Sequence, residues 1–178
     1  MGDMVAVNEV TTYKEDNTIW ADATEVVNVS AGSAWESLDR LLLRIIEIPN
    51  AGADSVKILR VKDDVPMTHV GNKLVAKAAM LGGIFKASMS MQVTVADPPR
   101  YLRLAVHTFN MHFADVEFRI EPVESGCRMT FRQGFRTRQK RSRSPGEQSA
   151  IMPPEMPETA RIFNLWVETI HSTRKGAS

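Results

Sequence analysis

The sequence has few features that would cross-link the protein or anchor it in a membrane. It contains one cysteine, Cys127, so no intramolecular disulfide can form, which fits a reducing compartment. The longest apolar run, residues 41–46, is interrupted by Arg44 and is far too short to cross a bilayer. No positively charged segment followed by an apolar stretch opens the chain, so no signal peptide is predicted. We therefore expect a cytoplasmic protein without a membrane span.

The chain also lacks an excess of charge of either sign. Lys and Arg number 22 and Asp and Glu number 21, so the formal net charge is +1. This balance provides no overall attraction to nucleic acid, and nucleic-acid binding is not expected. A basic run at 138–143 opens a Pro-containing linker predicted over 138–157. The run has no interleaved aromatic residues for base stacking, so we interpret it as a solvated loop, with docking of an acidic partner as the alternative.

Hydrophobic periodicity predicts a strand and then a helix in the first part of the chain. Residues 18–29 are rich in β-branched and aromatic residues, which is typical of a strand, and residues 1–16 are either a loose arm or a first strand. Ser30 or Ser33 can cap the helix that follows. The apolar stripe of this helix consists of Trp35, Leu38, Leu42 and Ile45.

From residue 55 to residue 137 the apolar side chains recur at every second position. This period predicts strands with one buried and one solvated face. The clearest alternation covers residues 85–95, and a chain reversal near Asn110 and a turn at 124–126 would join the later strands as an antiparallel meander. A closing helix then carries an apolar stripe of Phe163, Trp166, Val167 and Ile170. The order predicts an α+β fold, with residues 1–178 forming a single domain.

Three segments carry a resemblance to a known family: residues 27–38, where a strand enters a helix; 95–102, which contains Pro98-Pro99; and 120–130, a hairpin with Gly126-Cys127. They resemble the START-like superfamily, also called the Bet v 1-like, SRPBCC or polyketide cyclase/dehydratase-like group, which usually has Gly-Thr in that hairpin. Together with the closing helix they span most of residues 18–172. The resemblance implies a helix-grip fold, in which a curved antiparallel sheet wraps around a long C-terminal helix and encloses an internal cavity for a ligand.

The inward positions of such a fold form the predicted ligand-binding set. The expected ligand is a small hydrophobic molecule, whether aromatic, polyketide-like or lipid-like. Gln133 is the polar member of the set and could bond a ligand carbonyl, a water or a backbone group. Methionines fill either a core or an adaptable pocket. The full set is Phe85, Met89, Met91, Val106, Asn110, Phe118, Met129, Phe131, Gln133, Phe135, Phe163 and Trp166.

His112 and Glu25 are the two candidate catalytic residues, in an acid/base role. A regular strand would point His112 inward near the rim, whereas a one-residue slip would exchange His107 and His112 between the faces. Glu25 shares the parity of Val27, and a buried carboxyl there would have a raised pKa. The alternative for each residue is a solvent-exposed position. No metal site and no cofactor are predicted, because a second cysteine and a helical His-x-x-x-His motif are both missing.

Three functions remain open from the sequence. The first is binding of a small apolar molecule without catalysis, and the second is a polyketide aromatase/cyclase or dehydratase with one acid/base residue in the cavity. The third is an interaction module that uses the basic linker. The expected partner is a small apolar molecule, and the sequence also allows a homodimer.

Overall fold

A computed structural model describes residues 10–45, 55–60, 64–80, 85–108, 111–136 and 156–175. These ranges contain eight strands and two helices, and the predicted order of elements is confirmed. The strands are β1 (Thr11–Glu15), β2 (Thr18–Val27), β3 (Ser55–Arg60), β4 (Lys73–Met80), β5 (Phe85–Asp97), β6 (Tyr101–Thr108), β7 (Met111–Val123) and β8 (Gly126–Arg136). The helices are α1 (Ala31–Ile45) and α2 (Met156–Lys175). None of the described helices is long and apolar enough to cross a bilayer.

The strands form one antiparallel sheet in the order β1-β2-β8-β7-β6-β5-β4-β3. Strands β3 to β8 are a meander in which each pairs with the next, and β2 joins the meander by pairing with β8. Residues 11–15 pair with β2, so this part of the N-terminal segment is a first strand and not a loose arm. The predicted α+β class, a curved antiparallel sheet with a C-terminal helix, is confirmed.

Alternation along the strands gives the sheet two unlike faces. We call the face that packs against α1 and α2 the inner face, and the opposite one the outer face. The helices lie against β2, β7 and β8. The inner face of these strands is apolar and buried, which is the main source of folding free energy in such a layer. Its core members include Ala23, Val27, Phe118, Ile120, Cys127, Met129 and Phe131.

Helix α1 begins at Ala31 because the side chain of Ser30 caps it. The Ser30 Oγ accepts a hydrogen bond from the Ser33 backbone N–H at 3.1 Å. Of the two capping residues that the sequence allowed, Ser30 therefore takes the role. Trp35 is only half-buried, although the sequence placed it on the apolar stripe. The buried face of the helix includes Ala34 and Leu41 and leaves Trp35 at its edge. That face consists of Ala34, Ser37, Leu38, Leu41, Leu42 and Ile45.

Helix α2 is joined to α1 and to the sheet through Trp166. This side chain is fully buried, and its indole Nε1–H donates to the Ser37 Oγ of α1 at 3.0 Å. Its ring meets Phe118 of β7 edge-on, with 5.1 Å between the ring centroids. Phe163, one turn earlier, packs edge-on against Trp166 at 6.1 Å. The predicted stripe of the closing helix thus faces the sheet, with Val167 at its half-buried margin.

The sheet has an irregularity that the period-two pattern did not predict. The register of β5 against β6 shifts between Val93 and Val95. Val93 is buried, whereas Val95 is 43% exposed. The sequence placed both on one apolar face, and the bulge corrects this because it adds a residue to one strand and reverses the parity beyond it.

Candidate functional site

The inner face has two unlike ends. Helix α1 starts immediately after β2, at the end of the sheet where the β7–β8 hairpin turns. At the opposite end, which we call the distal end, β6 finishes, β7 starts and β8 finishes. The N-terminal part of α2 also reaches the distal end, since Thr159 of α2 contacts Gln133 of β8. An apolar molecule that reaches the inner face from the distal end would not have to pass the start of α1.

The structure brings most of the predicted ligand-binding residues onto this one face. Met89 and Gln133 are half-buried, near the distal end. Asn110 and the side chain of Phe85 lie outside the described residues. The predicted residues that are buried in the core are Met91, Val106, Phe118, Met129, Phe131, Phe135, Phe163 and Trp166. Their contact with a ligand stays a prediction.

Gln133 has a partner within the protein. Its side-chain Oε1 accepts a hydrogen bond from the Thr159 hydroxyl at 3.3 Å, so it links β8 to α2. The sequence offered a ligand, a water or a backbone group as its partner, and none of these is the one observed. A side chain from α2 could not be foreseen, because the register of the helix against the sheet is set by tertiary packing.

Glu25 lies on the inner face of β2, directly opposite Met129 of β8. Its Oε2 is buried and has no hydrogen-bond partner among the described residues. Burial raises the pKa of this carboxyl, and the positive charge of His171 on α2 partly opposes the shift. A carboxyl in such a place keeps its proton to higher pH than an ordinary glutamate, so it can donate a hydrogen bond or a proton.

The predicted inward direction of His112 needs correction. Val106 pairs with Ala114 but His107 pairs with His112, so Phe113 is an extra residue in β7. The bulge turns His112 to the outer face, where its Nε2 lies 3.3 Å from the Asp115 Oδ1. The slip that the sequence left open would have exchanged His107 and His112 between the faces, whereas the bulge leaves both histidines on the outer side.

Phe113 is the site residue that the sequence analysis missed. It is 42% exposed, and its ring packs edge-on against Phe135 with 5.7 Å between the centroids. Because of the bulge, Phe113 and Ala114 lie on the same side of the strand. Phe113 therefore extends the inner face to the rim of the distal end. Strict alternation continued back from Ala114 would place Phe113 on the solvated face, where an aromatic side chain is the one signal that could have indicated it.

The outer face carries a network of charged side chains. The Arg132 guanidinium lies 3.2 Å from Asp22 and 3.5 Å from Glu117 and stacks over the Trp20 ring at 4.4 Å. Burial raises the pKa of Asp22 to about 6, with Arg119 lowering it and Glu117 raising it further. The sequence pattern assigned Glu117 and Arg132 to a solvated face, and their mutual burial depends on the register of β7 against β8, which it did not specify.

In the described ranges no group of three or more His, Cys, Asp or Glu side chains is arranged to hold a metal ion. Among the described residues, the inner face offers thioethers, aromatic rings, the Gln133 amide and the Glu25 carboxyl. These groups can enclose an apolar molecule and bond one or two of its polar atoms.

Comparison with known proteins shows the fold. No family model and no curated protein matches the chain by sequence. A Staphylococcus aureus protein described as being of unknown function has a similar structure, with a TM-score of 0.56 and 11% identity, covering 89% of this chain and 96% of its own. A Mycobacterium smegmatis protein gives a TM-score of 0.53 and 14% identity, covering 96% and 100%. Ara h 8.0201 gives a TM-score of 0.53 and 8% identity, covering 86% and 99%. These likenesses show a Bet v 1-like fold.

Proposed function

We propose, from this Bet v 1-like fold, that the chain is a START-like protein that binds a small hydrophobic molecule on its inner face. The molecule is aromatic, polyketide-like or lipid-like, and it enters at the distal end. The observation that carries the proposal is the partly exposed Phe113 ring, which continues the buried inner face to the surface.

Because the Phe113 ring is 42% exposed, part of its apolar surface is in contact with water. A bound apolar ligand would cover that surface, which is favourable. Phe135 packs against the Phe113 ring, and the half-buried Met89 lies near the same distal end on β5, so this end of the inner face offers aromatic and thioether groups. Thioether side chains have several rotatable bonds and adapt to ligands of different shape. This combination favours a site that accepts a class of apolar molecules.

Replacing Phe113 tests the entrance with little risk to the fold, because the side chain is partly exposed. We expect Phe113→Ala to weaken binding of the best ligand from a panel of aromatic and acyl compounds by about tenfold, through lost apolar contact. Leu59→Ala is the matched control, since Leu59 is 37% exposed on the edge strand β3. Native mass spectrometry and fluorescence titration would measure the affinities. Equal affinity in both variants, or no uptake of any panel compound, would contradict the proposal.

A second candidate function is catalysis by an aromatase/cyclase or dehydratase. The observation that favours it is the buried, unpartnered Oε2 of Glu25, whose raised pKa suits a general acid. Most of the rate enhancement would come from holding a poly-carbonyl chain in one folded geometry, with Glu25 protonating an enolate or a leaving hydroxyl.

Glu25→Gln separates the two functions, because glutamine keeps the shape of the side chain but cannot give up a proton. For an enzyme we expect conversion of a linear poly-β-carbonyl substrate to fall about 100-fold or more, with binding little changed. Glu121→Gln is the control, since the Glu121 side chain is 63% exposed. Product formation would be followed by chromatography. Unchanged conversion in Glu25→Gln would remove Glu25 from the mechanism.

The third function, docking through the basic run at 138–143, falls outside the described residues and remains a prediction from sequence. A homodimer likewise remains a prediction from sequence.

A further inference from the structure

Two histidines face each other on the outer side of the sheet, away from the proposed ligand site. His107 of β6 and His112 of β7 are directly opposite in the antiparallel register. Their ring centroids are 5.2 Å apart, with 34° between the ring planes. We infer that this pair is a binding site for a divalent transition-metal ion of the kind that prefers imidazole, such as Cu²⁺, Ni²⁺ or Zn²⁺.

The spacing of the rings fits a shared ion. A metal bound to an imidazole nitrogen at about 2.1 Å lies roughly 3.2 Å from the ring centroid. Two such rings around one ion at the tetrahedral angle have centroids about 5.2 Å apart. The observed separation is the same, so the two strands already hold the rings at the spacing that one shared ion requires.

The polar contacts of His112 all involve Nε2 and leave Nδ1 available to bind a metal ion. Its Nε2 lies 3.1 Å from the Ala114 carbonyl oxygen and 3.3 Å from the Asp115 Oδ1. A carbonyl oxygen can only accept, so Nε2 is the donor in this contact, and Nδ1 is the nitrogen that can bind a ligand. Metal-binding histidines usually donate their second N–H to a carboxylate or a carbonyl, and His112 does so here before any metal arrives.

The Asp115 carboxylate orients His112 and is itself held in place. Its side chain is 9% exposed, and the same Oδ1 lies 3.3 Å from the Arg103 guanidinium. Asp115 therefore acts on the site through His112 and is a positioning residue. It also offsets part of the repulsion between the ion and Arg103.

The site is open to ions from solution. The His112 side chain is 27% exposed and His107 is half-buried. With two protein nitrogens and the remaining positions filled by water, we expect affinity on the order of micromolar, strongest for Cu²⁺ by the usual order of divalent metals. The arrangement does not depend on the proposed ligand site on the other face.

Titration of the full chain with Cu²⁺ and Ni²⁺ tests the inference. We expect one ion per chain by calorimetry, reversed by EDTA, and a Cu²⁺ electron paramagnetic resonance spectrum with two nitrogen ligands. His107→Ala and His112→Ala should each weaken binding about 100-fold, and Asp115→Asn about tenfold with the two-nitrogen spectrum kept at saturation. His69→Ala and His171→Ala are matched controls, because both histidines are exposed, and they should bind as the parent does.

The result that would overturn the inference is equal metal affinity in the parent and in His107→Ala. A spectrum with one nitrogen, or loss of binding in His69→Ala, would overturn it as well. Circular dichroism in EDTA shows whether each variant is folded, and His107→Ala removes a half-buried ring without touching the Asp115 network, so the test does not rest on His112 alone.

Discussion

Substitution of Gly126 by alanine is expected to cause one of the largest losses of stability in this chain. Gly126 has a φ of +140°, in a region that side chains other than glycine rarely adopt. An added Cβ would overlap the Val27 carbonyl oxygen and lie 3.0 Å from both the Asn28 Cα and the Val29 nitrogen. All three atoms belong to the backbone, so no rotation of a side chain can relieve the clash. We expect Gly126→Ala to lower the free energy of unfolding by about 3 kcal/mol or more, measured by urea denaturation.

Gly32→Ala is the control for this substitution. Gly32 lies in the first turns of α1, and a Cβ there would meet only the Ser30 Oγ, at 3.9 Å. Alanine restricts the unfolded chain more than glycine does, so we expect a gain of up to about 1 kcal/mol. If both variants lost the same stability, the hairpin at Gly126 would not lie close to the backbone of residues 27–29, contrary to the structure.

Gly126 has a consequence for the inner face as well. The hairpin turn that it permits lies against the backbone that leads from β2 into α1, and α1 packs on β7 and β8. The end of the inner face nearest to α1 is thus fixed by contacts between backbone atoms, which adapt poorly. The distal end is bordered by side chains such as Phe113 and Met89, which can move to admit a molecule.

The strands of the sheet could be predicted because their apolar side chains recur with a period of two. Ala114, Val116, Phe118 and Ile120 are all buried, as the alternation in β7 requires. The antiparallel pairing of β6 with β7 and of β7 with β8 followed from the short turns between them. The pairing of β2 with β8 joins distant parts of the chain, and the pattern did not specify it. The closing helix followed from its own apolar stripe, and the resemblance to START-like proteins supplied the curvature of the sheet, which periodicity alone does not specify.

The bulges could not be predicted, and the candidate site depends on one of them. A bulge changes the parity of a strand without changing its composition, so residues beyond it are assigned to the wrong face. Phe113 and His112 were exchanged in this way, and Val95 shows the same effect in β5. The face of Glu25 could be predicted because the pairing of β2 with β8 is regular throughout its length.

The charged network around Arg132 was missed for a different reason. Polar residues at alternate positions indicate a face in contact with water, yet Asp115 and Glu117 are 6% and 5% exposed. Arg103 of β6 pairs with Asp115 and Arg132 of β8 pairs with Glu117, and such cross-strand partners are fixed by register, which sequence pattern alone does not give.

Substitution of Trp166 by alanine is expected to match the effect at Gly126. Trp166 is fully buried between α1 and β7, and its removal leaves a cavity against Phe118 and Phe163. It also removes the hydrogen bond to Ser37, whose hydroxyl in turn donates to the Ala34 carbonyl at 2.6 Å. We expect Trp166→Ala to lower the free energy of unfolding by about 3–5 kcal/mol, measured by urea denaturation with circular dichroism.

Two further variants divide this effect into its parts. Trp166→Phe keeps most of the apolar volume but loses the indole N–H, so it should cost about 1–2 kcal/mol. Trp35→Ala removes an indole that is only half-buried on α1, and its cost should be clearly smaller than that of Trp166→Ala. Equal costs for the two alanine variants would mean that α2 is not held to the sheet through Trp166. If Trp166→Phe remained folded and still bound apolar compounds, the indole N–H would be needed only for the contact between α2 and α1, and not for ligand binding.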